Sequence, residues 1–246
     1  MQESRLLMGM PVTVEIRDAG ATPQAIQKAF SYFQYVDEKF STYKPASEIS
    51  KINGKKLAES DWSDDMKLIM RLSAQTKRET DGYFDIRRKD GYIDPSGIVK
   101  GWAIHNVALI LQKEGFRYFY VDAGGDIQVA APKTEAPWRV GIRNPFKQSE
   151  IVQTVQLRNE GIATSGTYLR GDHIYNPRAD HANATAIASL TVIGPNIYDA
   201  DRFATAAFAM GKQGIMFIEN LKGFEGYMID TEGIATETGG FAKYKA

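Results

Sequence analysis

The spacing of apolar and polar positions changes period several times along the chain. Residues 11–17, PVTVEIR, alternate apolar and polar with β-branched side chains, the two-residue repeat of a half-buried strand. After the turn DAGATP the repeat lengthens. Ile26, Phe30, Phe33 and Val36 recur at three- and four-residue spacing, which predicts an amphipathic helix over AIQKAFSYFQYVDEKF. STYKPASEISKING follows as a loop with a short helical piece, Ser47 and Ser50 giving a weak capping signal. A second helix is predicted over residues 63–80, with Met66, Ile69, Met70 and Leu72 on its buried side and TDG as its stop.

At residues 93–106, IDPSGIVKGWAIHN, an acid and a lysine flank a small-residue turn that runs into a long apolar stretch. Farther on, GFRYFYVDAGGDIQVAA reads as strand, glycine turn, strand, and WRVGIRNP, EIVQTVQLRN and ATAIASLTVIGP as further strands. YDADRFATAAFAMG reads as a compact helix ending at Gly211, and GFEGYMIDTEG as a closing strand and turn. Helices alternate irregularly with hairpin-like strands, and neither a repeat nor a low-complexity linker interrupts them. The expected class is α+β, one domain over residues 1–246 with mixed or antiparallel sheets and packed helices, rather than a doubly wound sheet.

Composition narrows the function classes. An apolar fraction of 43% is enough for a core without staples, and the absence of cysteine removes thiol catalysis, thiolate metal sites and disulfides together. Lysine plus arginine equals aspartate plus glutamate, 30 against 30, so the diffuse basic surface of a nucleic-acid binder is missing. No apolar run approaches the roughly 18–20 residues of a membrane span. The start, MQESRLLMGMPVTVEI, lacks the succession of a signal peptide, and there is no lipobox cysteine. The chain as it stands is therefore expected in the cytoplasm. One relieved of an export signal would read the same and belong to the bacterial periplasm.

DADRFATAAF is the first candidate for chemistry. Asp201 and Thr205 stand four residues apart, so one helix face presents a carboxylate and a hydroxyl amid small and apolar neighbours. Two hard oxygen donors without histidine or cysteine suit Mg²⁺ before Ca²⁺; equally, Asp199 or Asp201 caps the helix while Thr205 bonds back to a carbonyl. In the 93–106 stretch, Gly97 and Gly101 permit close backbone approach, and Lys100 either faces an anion or is a solvated charge beside a turn. VDAGGDIQ reads as a plain turn between strands. ATSGTY and GDHIYNP are rich in hydroxyls, and His173 there is one of only three histidines, a general base or a structural loop residue.

The order of these stretches is more specific than any of them. MGMPVTV, FSTYKPASEISKIN, TDGYFD, IDPSGIVKGWA, VDAGGDI, ATSGTY, HIYNP and ADRFATAAFAMG, in that order over nearly the whole chain, resemble the ApbE family of FAD:protein FMN transferases. The resemblance implies an ApbE-like domain that uses Mg²⁺ and FAD, cleaves FAD, and attaches FMN through a phosphoester bond to a threonine or serine of a target protein, releasing AMP. It implies Mg²⁺ held by the Gly97 carbonyl, the Asp201 carboxylate and the Thr205 hydroxyl. FAD contacts are implied from Met8, Tyr43, Tyr83, Phe84, Asp85, Asp94, Lys100 and the backbone near Tyr175, with His173 in catalysis. The implied partners are FAD and an acceptor such as a redox-complex subunit or a flavin-domain reductase. The chain departs from the family's pattern in three places. Only RRKDGY separates TDGYFDI from IDPSG, DPSG replaces DLGG, and HIYNP carries Asn176 where HIxDP has an acid. Two further readings use the same residues: an FAD pyrophosphatase, in which water replaces the acceptor, and a non-catalytic FAD-binding protein.

Overall fold

The computed structural model describes residues 1–166 and 186–246. Strands β1 (Gln2–Leu7) and β2 (Met10–Ile16) form a hairpin whose turn holds Met8 and Gly9 at φ 54° and 72°. Two successive left-handed residues give the turn whose twist matches that of the strands. Helix α1 (Pro23–Phe40) starts at Thr22, whose hydroxyl accepts the Ala25 N–H, with proline in the first helical turn. Ser47 and Ser63 cap α2 (Glu48–Asn53) and α3 (Asp64–Glu79) in the same way. Helix α4 (Ser96–Lys113) leads into β3 (Phe119–Ala123) and β4 (Asp126–Ala130), joined through Gly124 and Gly125, both at positive φ. Next come β5 (Trp138–Arg143), β6 (Ile151–Leu157) and β7 (Gly161–Gly166). The remaining elements are β8 (Ile187–Gly194), α5 (Ile197–Ala209), α6 (Gly214–Glu219), β9 (Glu225–Asp230) and β10 (Ala235–Glu237).

One sheet runs β1-β2-β3-β4-β7-β8-β9-β10, and β5 and β6 pair separately; every pairing among the described strands is antiparallel. The helices cover one face of the large sheet, where Phe30 and Phe33 of α1, Ile104 of α4 and Ala204 of α5 share a core with Val14, Val121 and Leu190. The β5–β6 hairpin covers the other, packing Trp138, Val140 and Val155 against Val129, Ile193 and Ile229. Strand β8 is covered on both faces, which is why it is buried along its whole length. Among the described residues no helix is long and apolar enough to cross a membrane.

The α+β expectation holds, with several local differences. β1 carries no alternation because it is an edge strand exposed at most positions. α6 and β10 are short and were not foreseen, and ATSGTY supplies part of β7. In α3 the buried stripe is Met66, Ile69, Ser73 and Thr76, whereas Met70 and Leu72 are only partly covered. Thr76 is tolerated inside because its hydroxyl donates to the Leu72 carbonyl at 2.9 Å.

α4 and α5 approach through a glycine. A Cβ at Gly101 would lie 2.7 Å from Asp201 Cβ and 2.9 Å from the Ile197 carbonyl oxygen, so the helices can sit this close only without a side chain there. Gly101→Ala is expected to cost at least ~2 kcal/mol, within the usual range for overpacking. Urea unfolding reads this directly; an unchanged midpoint would mean the two helices separate freely.

Candidate active site

The loop before α4 is tied down before the helix begins. The Asn53 amide donates to the Ile93 carbonyl at 2.9 Å and accepts the Ile93 N–H at 2.8 Å, so one side chain serves both backbone groups as a strand neighbour would. Asp94 then accepts the Ser96 N–H at 3.0 Å and turns the chain into α4. Upstream, the Phe84 N–H donates to the Thr80 hydroxyl, and its buried ring lies against Gly97, where an added Cβ would be 3.2 Å from Phe84 Cε2. Tyr83 and Asp85 flank it on the same loop, Asp85 in an ion pair with Lys77 at 2.6 Å. Sequence reasoning passed over Asn53, although it closes the quoted stretch FSTYKPASEISKIN.

On the opposing helix, Asn196 is the cap: its side-chain oxygen accepts the Asp199 N–H at 2.9 Å. The reading in which Asp199 or Asp201 caps α5 is thereby corrected, and Asp201 is left facing α4. It is buried, and its Oδ2 accepts the Gly101 N–H at 2.8 Å. In a regular helix that N–H serves the carbonyl four residues back, here Gly97. The Gly97 carbonyl therefore does not have this donor to itself. Thr205, one turn along α5 and half-buried, brings its methyl to 3.4 Å from the position of a Gly97 Cβ. Gly97, Asp201 and Thr205 thus converge at the start of the α4–α5 contact.

Lys100 is not a solvated turn charge. Its side chain is 16% exposed, with Nζ 3.5 Å from Asp201 Oδ1 and in ion-pair contact with Asp126 Oδ2. Asp126 opens β4 and is buried; its Oδ1 accepts the Thr164 N–H from β7 at 3.0 Å. β4 and β7 pair only at Ile127↔Ile162 and Gln128↔Gly161, and past that point the carboxylate takes the place of a strand partner. Sequence reasoning missed Asp126, which looked like the end of a glycine turn. The available signal was a carboxylate opening a strand that is otherwise mostly apolar.

Burial pushes the Asp201 carboxyl up to about 7, and the neighbouring Asp126 charge adds to this; Lys100 and the Gly101 N–H oppose it. Among the described residues no three His, Cys, Asp or Glu side chains gather into a metal cage. Among those residues, a cation at Asp201 would draw on backbone and hydroxyl oxygens, the hard donors that suit Mg²⁺. The buried Asp126 Oδ2, which lacks a hydrogen bond of proper geometry among the described residues, also fits a site built for more positive charge than Lys100 alone.

The remaining expected residues lie on other loops or outside the described part. Met8 occupies the β1–β2 turn, half-buried against the helical core. That turn shares an end of the sheet with Gly124, whose N–H donates to the Pro11 carbonyl at 3.0 Å. Tyr43 is 86% exposed on the loop between α1 and α2. His173 and Tyr175 lie outside the described residues.

Residues 8–89 and 86–228 match the ApbE family. This chain belongs to the ApbE family. A curated relative, the FAD:protein FMN transferase of Escherichia coli K12, is 30% identical over 159 residues, 61% of this chain and 45% of the relative. The matched region thus spans less than half the length of that relative. Among solved structures, the ApbE protein of Thermotoga maritima is similar with a TM-score of 0.88 and 20% identity, over 100% of this chain and 99% of the other. The flavin transferase ApbE of Vibrio cholerae is similar with a TM-score of 0.85 and 22% identity, over 99% and 98%. At such identities the structures establish a shared ApbE fold.

Because the folded state favours protonated Asp201, it binds that proton more tightly than the unfolded chain, where aspartate titrates near ~3.9. Without divalent metal, folding stability should therefore fall as pH rises from ~4 through ~7. Asp201→Asn removes this penalty and keeps an acceptor for Gly101. In chelator-treated protein at pH ~8 the variant is expected to be more stable by about 1 kcal/mol or more, one pKa unit being worth ~1.4 kcal/mol. The difference should shrink towards pH ~5. Denaturant titrations across pH check this, and parallel curves would show that ionised Asp201 carries no cost.

Proposed function

We propose that this chain, read as one domain over residues 1–246, is a Mg²⁺-dependent FAD:protein FMN transferase. The observation that carries the reading is the buried Asp201 carboxylate, which accepts the Gly101 N–H of α4, with Thr205 one turn along α5 and its methyl close to Gly97. A carboxylate so placed shares Lys100 with Asp126, and a further cation would offset the cost of its burial, an arrangement for which a domain that merely retained a flavin would have no use. The activity printed for the curated relatives, FAD:protein FMN transferase, points the same way.

In this reaction the hydroxyl oxygen of a threonine or serine on the acceptor protein attacks the flavin-side phosphorus of FAD. A phosphoester bond forms, the pyrophosphate P–O bond breaks, AMP leaves with the electron pair, and the hydroxyl proton passes to a base. Gly97, Asp201 and Thr205 would hold the Mg²⁺, which would supply charge neutralisation for the pyrophosphate and the departing AMP. Lys100 directs a second positive charge towards the phosphates. Phe84 and the residues beside it, Tyr83 and Asp85, with Asp94, Met8 and Tyr43, provide the flavin and adenosine contacts. His173 takes or relays the hydroxyl proton, and the backbone near Tyr175 completes the nucleotide contacts.

Incubation with FAD, Mg²⁺ and a candidate acceptor should give a covalent FMN mass increment on the acceptor and one AMP per transfer. AMP without an adduct would mean a pyrophosphatase, and tight FAD retention without AMP a binding protein. Asp201→Ala is expected to abolish Mg²⁺-dependent turnover. Removing His173 should lower transfer at least tenfold with FAD binding near normal, the scale typical of a lost general base.

A further inference from the structure

Asp126 is 1% exposed, and a carboxylate that deep is stabilised only by the groups that touch it. Its two oxygens do different work. Oδ1 accepts the Thr164 N–H at 3.0 Å, a task that an uncharged amide oxygen would do as well. Oδ2 meets the Lys100 ammonium, and there a carboxylate attracts far more strongly than a neutral oxygen would. Lys100 therefore stands between two buried carboxylates, touching Asp126 and lying 3.5 Å from Asp201 Oδ1.

We propose that Asp126 is a positioning residue for the cation site: it draws the Lys100 ammonium to its own side, so that Asp201 is available to a divalent metal, and makes the cluster negative overall. The inference rests on the metal reading above. With Asp201 ionised, the form that binds a metal, one ammonium against two carboxylates leaves a net charge of −1 among these three side chains, in a water-poor setting where charge interactions are several-fold stronger than in bulk water. Take away the charge at position 126 and Asp201 is the carboxylate that remains beside Lys100 among the described residues. The ammonium then pairs with Asp201, the cluster is neutral, and an entering metal must displace a lysine. Asp126 is thus expected to set metal affinity without touching the metal.

The test uses Mn²⁺ without FAD, since Mn²⁺ takes the same oxygen donors as Mg²⁺ and is read by electron paramagnetic resonance. In the full chain, Asp126→Asn is expected to raise the Mn²⁺ Kd at least tenfold while keeping the acceptor for Thr164. Adding Lys100→Met to that variant should bring Kd back to within about threefold of wild type, because the competing cation is gone; general loosening of the site would give no such rescue. Lys100→Met alone should bind Mn²⁺ as tightly as wild type or more tightly, which keeps the question open to measurement if Asp126→Asn folds poorly. An unchanged Kd in Asp126→Asn, no rescue in the double variant, or weaker binding in Lys100→Met would each overturn the proposal. A wild-type chain without a Mn²⁺ site would instead overturn the metal reading itself, and this inference with it.

Discussion

The hydrogen bond from the Gly101 N–H to Asp201 is the contact around which this end of the molecule is arranged. It joins a backbone donor inside one helix to a carboxylate inside another, with no side chain between them. That requires glycine at position 101, an α5 that begins at Asn196 so that Asp201 faces inward, and an α4 aimed correctly from its first residue. Each requirement is met by a separate local device. Asn196 caps α5, Asp94 turns the chain into α4, and Asn53 fixes the loop in front of it.

Placing a carboxylate there has consequences for the surrounding charges. α5 is braced from its other side by Arg202, which is buried yet engages Asp199, Glu79 and Thr76 and so ties α5 to α3. Asp201 and Arg202 are adjacent in sequence and point to different partners, one towards the site and one towards the scaffold. Arg202 has its counter-charges beside it. Asp201 has Lys100, which it shares with Asp126. Arg202 and Lys100 each face two carboxylates among the described residues, but Glu79 and Asp199 reach solvent whereas Asp126 and Asp201 are buried, the costlier arrangement and the one expected where a protein gives up stability for a ligand.

The large sheet contributes through its irregular seam. β4 and β7 pair briefly and then part, and Asp126 bridges the opening to Thr164. A fully paired ladder would have satisfied the Thr164 N–H with backbone; here the Asp126 carboxylate does so while also meeting Lys100. Relatives near 20% identity keep the same fold over essentially the whole chain, so the layers tolerate wide substitution. Cores hold their architecture as long as volume and pattern are kept, whereas a charge balance changes with a single residue.

The sequence by itself determined the elements whose periodicity reports a buried face. α1, α3, β2 and the glycine turn before β4 were legible because one side of each is apolar over several turns or pleats. The Asp201 and Thr205 pair was legible too, since helical spacing alone puts both on one face. Edge strand β1 was not, having no buried face to leave a pattern, and neither was the separation of β5 and β6 into their own layer. Lys100 stayed ambiguous in sequence between a solvated charge and a directed one. Only the tertiary structure decided it, because its partners lie 26 and 101 residues further along the chain and meet it through the packing of a strand and a helix. Periodicity records whether a residue faces water or protein. Which charge it will meet inside is set by how the layers stack, and no local spacing carries that.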